Sequence, residues 1–179
     1  MKIDLKSIDI KELAGLVSET LKKHGIDAVL VGGSCVSIYT KNKYLSYDLD
    51  YVTHAEFRKI KPVLKELGFE QKSTRHFENE KCRFFIEFVN PPVALGKEVP
   101  VTKFNEIETR RGTVKMLSPT DCVKDRLAAF FHWKDQQSLD QAVMVAKDQK
   151  VDLKNVKKWA EGEGKVEKFN LFQSKLKES

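Results

Sequence analysis

Residues 27–52 read DAVLVGGSCVSIYTKNKYLSYDLDYV. The apolar run from Asp27 to Val31 stops at Gly32-Gly33, which suits a buried strand ending in a tight turn, and a helix is expected to begin near Ser34. From Tyr47 to Val52 the residues alternate, which places Asp48 and Asp50 on one face of a strand and Tyr47, Leu49 and Tyr51 on the other. Two carboxylates held on one face repel each other unless a cation lies between them. Hard Mg²⁺ or Mn²⁺ takes oxygen ligands, keeps waters and is completed by substrate phosphates, so the pair suits a metal-nucleotide complex better than zinc. The bland alternative is a solvated edge strand that carries two acids. The glycine pair would let the backbone approach phosphate oxygens, with the Ser34 hydroxyl as a further donor, or it merely turns the chain. It is neither a GxxxxGK[ST] loop nor a GxGxxG fingerprint.

A third acid, Glu87, interrupts the apolar run from Arg83 to Val89. Burying it is costly without a partner, and period-two counting puts Arg83, Phe85 and Glu87 on one face. An Arg83–Glu87 ion pair at a sheet edge is the competing account.

Outward from this centre, Ile10, Leu13, Val17 and Leu21 mark one face of a helix over Ser7 to His24, closed by Gly25. Phe57, Ile60, Val63, Leu64 and Leu67 mark a second helix closed by Gly68, with a kink expected at Pro62. Strands are expected over Phe69 to Gln71, Lys81 to Val89 and Glu98 to Phe104, with a pair around Arg111-Gly112. Beyond the division near Leu117 the pattern is helical. Ser118 is a good N-cap, Pro119 suits the first turn and Asp121 complements the dipole. Helices are expected over Pro119 to Phe131, Gln136 to Gln149, Lys154 to Ala160 and Val166 to Lys177. The fold class is therefore α/β (α+β): a small mixed sheet flanked by helices over residues 1–117, with a helical unit over 118–179 packed on it.

The 179 residues are 41% hydrophobic and 32% charged, which excludes collagen-like and disordered classes. No apolar stretch approaches the about 18 residues of a membrane span, and the N-terminus lacks the apolar core of a secretory signal, so the expected location is cytoplasmic. Cys35, Cys82 and Cys122 are odd in number and far apart, which leaves neither a disulfide framework nor a metal knuckle. A net charge of +6 permits a nucleotide or nucleic-acid partner without requiring one. Lys41, Lys43, Arg75, Arg110, Arg111 and Lys115 are candidates for an acceptor groove, Lys43 and Arg75 foremost. His24, His54 and His76 have no metal-ligand spacing. His132 is expected to complement a helix dipole, Trp133 to cover the core, and Phe130 and Phe131 to pack.

The order of these features, GGS, thirteen intervening residues, Asp-x-Asp and a later strand acid, resembles the signature of the DNA polymerase β-type nucleotidyltransferase superfamily. Within it the chain is similar to compact bacterial nucleotidyltransferases related to the AbiE-type toxin family, whose helical segment resembles LSPTDCVKDRLAAFFHWKDQQSLDQAV. The likeness covers Asp27 to Lys147. It implies that Asp48 and Asp50 hold two Mg²⁺ (or Mn²⁺) ions and that Glu87, where aspartate is common, completes the second site and receives a proton. It implies also that Gly32, Gly33 and Ser34 cradle the phosphates of an NTP such as ATP. That group carries Lys five residues after the helical Asp; here the position is Arg126, with Lys124 nearby, and both join Lys43 as nucleotide-binding candidates. The implied acceptor is a hydroxyl of an RNA or tRNA 3′ end, a protein or a small molecule, and an antitoxin is an implied partner. The alternative is a nucleotidyltransferase fold without turnover, serving as a nucleotide- or RNA-binding regulator.

Overall fold

The computed structural model describes residues 3–97 and 100–178. Helix α1 (Ile10–Lys23) starts where the Asp9 carboxylate accepts from the Lys11 N–H, and it buries Leu13, Val17 and Leu21. Strand β1 (Val29–Val31) leads through Gly32 into α2 (Gly33–Tyr39), and β2 (Asp48–Val52) follows. Next come α3 (Phe57–Glu66), β3 (Glu70–Gln71), β4 (His76–Glu78), β5 (Phe85–Val89) and the hairpin of β6 (Asn105–Thr109) and β7 (Gly112–Met116). All later elements are helices: α4 (Pro119–Trp133), α5 (Gln136–Asp148), α6 (Leu153–Gly162) and α7 (Val166–Glu178).

The seven strands form one mixed sheet in the order β3-β4-β5-β2-β1-β7-β6. β2 lies antiparallel to β1 and parallel to β5, while β7 runs parallel to β1. Alternation decides what each face carries. Leu49, Tyr51, Ile86, Phe88 and Phe77 are buried on one face. There Tyr51 donates to the Ala14 carbonyl of α1 at 3.1 Å, and Phe57 of α3 meets Phe88 edge-on at 6.2 Å. The opposite face carries Asp48 and Asp50; α2 packs against β1 and β2, and α4 and α5 pack on α2 in turn. Buried apolar residues of the strands and of α4 to α7 form one continuous cluster.

The helical pattern of the sequence matches within a few residues at each end, and α3 runs through Pro62 as one helix. The sheet differs more. Pro100 to Phe104 is not strand, and Glu98 and Val99 lie outside the described residues; the pair expected around Arg111-Gly112 is present as β6 and β7. An edge strand need present only Ile107 to the core, so its sequence lacks an apolar signature. β5 begins at Phe85 rather than Lys81, and β4 has no counterpart in the sequence reading. Trp133 does not cover the core: at the end of α4 it is 82% exposed.

Ser118 caps α4 by accepting from the Asp121 N–H at 3.1 Å. Ser118→Ala is expected to cost about 1 kcal/mol, read as a lower urea midpoint with an unchanged m-value.

Candidate active site

The parallel pairing of β2 with β5 sets Asp50 directly opposite Glu87, and Asp48 opposite Phe85. One carboxylate oxygen from each of Asp48, Asp50 and Glu87 lies within 4.8 Å of the other two. All three side chains are partly buried. The sheet thus brings together the three acids that the sequence nominates. The competing Arg83–Glu87 pairing fails on geometry, because Arg83 precedes the strand and its guanidinium lies over the Phe84 ring at 4.8 Å.

Crowding like charges at a half-dry site has an electrostatic cost. Burial, then the charges of Asp48 and Glu87, push the Asp50 carboxyl up from 3.8 to about 7, although Arg126 partly offsets them. Asp48 is also raised, by burial and by Glu87, with His76 acting the other way. An all-oxygen donor set under mutual repulsion fits a hard divalent cation, which would relieve the repulsion. The folded Asp50 keeps its proton to about pH 7, whereas the unfolded one releases it near 3.8. The folded state then binds more protons between these values, so stability in EDTA is expected to fall as pH rises from about 4 to 7 and to level off above. Added Mg²⁺ at pH 8 should raise the melting temperature by several degrees; thermal melts across pH with and without the ion check both parts.

The glycine turn lies against this cluster. Gly32 holds φ 73° and ψ −153°, and a Cβ there would sit 2.7 Å from Asp50 Oδ2. Ser34 is fully buried and its hydroxyl donates to the Val31 carbonyl at 3.1 Å. That proton is engaged inside the turn. Gly33 opens α2 beside Ser46 and Tyr44.

The nominated cations divide. Arg126 of α4 donates to Asp125 Oδ2 at 2.5 Å and to Gln141 Oε1 at 3.3 Å, and its charge reaches Asp50. Lys124 is 3% exposed, with its ammonium 3.6 Å from Asp121. Lys43 is turned to Asp148 of α5, 2.6 Å away. Arg110 and Arg111 form the β6–β7 turn, and because β7 runs parallel to β1 this turn lies at the end of the sheet opposite Gly32. Arg110 there pairs with Glu12 at 3.6 Å, and Lys115 bonds Asp27 at 3.0 Å. These three do not share an acceptor groove with the carboxylates.

One residue passed over in the sequence stands beside the cluster. His76 of β4 is opposite Glu87 in antiparallel register, its ring packs on Phe85 at 4.7 Å and Nε2 lies 2.7 Å from Glu78 Oε1. Nothing in local spacing marks it; only the pairing of β4 with β5 brings it in.

No protein-family model matches the sequence, and no curated protein does. Solved structures do. An antigenic nucleotidyltransferase-like protein from Paracoccidioides brasiliensis superposes with a TM-score of 0.61 at 17% identity, over 79% of this chain and 77% of that one. The solution structure of the antibiotic-resistance factor ANT(2'')-Ia gives 0.51 at 11% identity, over 98% and 94% of the two chains. The crystal structure of ANT(2")-Ia with adenylyl-2"-tobramycin gives 0.52 at 14%, over 93% and 97%. The protein therefore has a fold seen in nucleotidyltransferase-like proteins; among the described residues it is a mixed seven-stranded sheet with helices, none of them long and apolar enough to cross a membrane.

Proposed function

We propose that this protein transfers a nucleoside monophosphate from an NTP to a hydroxyl acceptor, with Asp48, Asp50 and Glu87 as the ligands of two Mg²⁺ or Mn²⁺ ions. The observation that carries the reading is the convergence of three carboxylates within 4.8 Å beside a glycine turn. When bound, the ions would neutralise triphosphate charge and acidify the attacking hydroxyl. Gly32, where a Cβ would meet Asp50, would leave room for phosphate oxygens next to that carboxylate. Arg126, already fixed by Asp125 and Gln141, adds positive charge on the α4 side. In the transfer the acceptor oxygen bonds to the α-phosphorus as the bridging bond to the β-phosphate breaks. Pyrophosphate leaves in line, and Glu87 takes the hydroxyl proton.

RNA 3′ ends, protein side chains and small molecules are all hydroxyl acceptors for this chemistry; ANT(2")-Ia, solved with adenylyl-2"-tobramycin, shares the fold. A toxin-like role with an antitoxin partner is one use of the same reaction. The test is incubation with each α-labelled NTP, Mg²⁺ and a mixture of cellular RNA, protein and small molecules. Label incorporation with pyrophosphate release supports the proposal. Absence of both, together with no metal-dependent NTP binding, rejects it.

A further inference from the structure

Along α5 the buried residues Ser138, Ala142 and Val145 mark a stripe at helical spacing, and Gln141 stands within it, 3% exposed. Burying an amide is unfavourable unless protein hydrogen bonds replace those to water. Here the replacement is Arg126 of α4, whose Nη1 donates to Gln141 Oε1 at 3.3 Å. On the other side of the guanidinium, Nε and Nη2 donate to Asp125 Oδ2 at 3.0 and 2.5 Å. Of the five N–H groups a guanidinium carries, these bonds leave one on each terminal nitrogen. Two donors so placed match two oxygens of a phosphate chain.

Topology sets this group on the glycine-turn side of the carboxylates. β1 and β7 run parallel, so the Gly32 turn and the start of α4 leave the same end of the sheet, where the Leu117 N–H bonds the Leu30 carbonyl at 3.2 Å. α4 then packs on α2, the helix that the turn opens. The charge of Arg126 is felt at Asp50 and at Cys35 in the first turn of α2. Asp125 already balances that charge, and a second carboxylate would make the group anionic beside a polyphosphate. The neutral amide of Gln141 fixes the geometry without adding negative charge.

We infer that Gln141 is a positioning residue for the nucleotide: with Asp125 it fixes the Arg126 guanidinium so that the two remaining N–H groups meet the β- and γ-phosphates, and the protein thereby prefers NTP to NMP. The inference rests on the nucleotidyl-transfer reading, in which the α-phosphate lies at the carboxylates. A donor that reaches the first turn of α2 then meets the phosphates that depart.

Isothermal titration in Mg²⁺ compares the α,β-methylene analogues of the four NTPs with the four NMPs. Wild type is expected to bind an NTP analogue at least about tenfold more tightly than the matching NMP. Gln141→Met, similar in length but without the acceptor oxygen, is expected to weaken NTP binding about tenfold and to hold NMP binding within about twofold. Gln141→Asn, which withdraws the oxygen by one methylene, is expected to give the same pattern more weakly, and it carries the test if the methionine variant does not fold. Arg126→Met is expected to abolish the preference for NTP, and Gln141→Met added to it to change the preference no further, because positioning acts only through the guanidinium. A merely structural glutamine would change both affinities alike, with or without Arg126. Failure of wild type to bind any NTP analogue overturns the nucleotide reading itself. The positioning inference fails instead if wild type binds NTP no better than NMP, if the Gln141 variants keep the wild-type ratio, or if their effect persists without Arg126.

Discussion

Asp50→Asn is expected to lower nucleotidyl transfer by about 10³-fold or more, equivalent to roughly 4 kcal/mol at the barrier, while leaving the metal-free protein more stable than wild type at pH 8. The two effects have one cause. Asn has nearly the shape of Asp but no charge, so it cannot ligate a hard cation as a carboxylate does. In the metal-free fold that same charge is the one that burial, Asp48 and Glu87 oppose. Removing it relieves the repulsion, and Arg126 keeps its bonds to Asp125 and Gln141. A carboxylate kept only for a structural ion pair behaves in the opposite way: its loss lowers stability whether or not metal is present. Pyrophosphate release measured with thermal melts in EDTA and in Mg²⁺ distinguishes the cases. A variant that retains transfer, or that melts below wild type in EDTA at pH 8, contradicts the metal-site reading.

Much of this centre was legible because its signals are local. Gly32-Gly33, the alternation around Asp48 and Asp50, and the single acid in an apolar strand each lie within a short window, and strand periodicity gives the facing directions. The helices were legible for the same reason, through apolar spacing, the closing Gly25 and the Ser118 cap. What escaped depends on pairing between distant segments. His76 lies in a three-residue strand flanked by polar residues, and its position next to Glu87 exists only through the β4–β5 register. Lys43 looked like a neighbour of the site by sequence proximity, yet Asp148 of α5, 105 residues away, claims its ammonium. Pro100 to Phe104, expected to be strand, is not, whereas the strand pair expected around Arg111-Gly112 is the β6–β7 hairpin. Exposure of Trp133 follows from its place in the last turn of α4, two positions beyond Phe131 at the end of the buried stripe, where the chain leaves the helix through Lys134 in the left-handed region.

Gly32→Ala is expected to damage stability and catalysis together, and the reason can be divided between backbone and side chain. With φ 73° and ψ −153°, Gly32 occupies a region reserved almost entirely for glycine, so alanine there costs on the order of 1–3 kcal/mol. For a domain of this size each kcal/mol lowers the melting temperature by about 2–4 °C. In addition the new methyl would stand 2.7 Å from Asp50 Oδ2, so the carboxyl must swing away from Asp48 and Glu87. Loss of one ligand from the cluster should reduce transfer at least about 10²-fold and abolish the gain in melting temperature on adding Mg²⁺. Gly25 provides the comparison. It too has a left-handed φ, 71°, but a Cβ there meets nothing within 4 Å. Gly25→Ala should therefore lose about 1–2 kcal/mol from strain alone and keep both transfer and the Mg²⁺ response. If the two variants lose activity in equal measure, backbone strain rather than the contact with Asp50 accounts for the effect. If Gly32→Ala retains the Mg²⁺ response, the turn and the carboxylates are not the single unit their geometry implies.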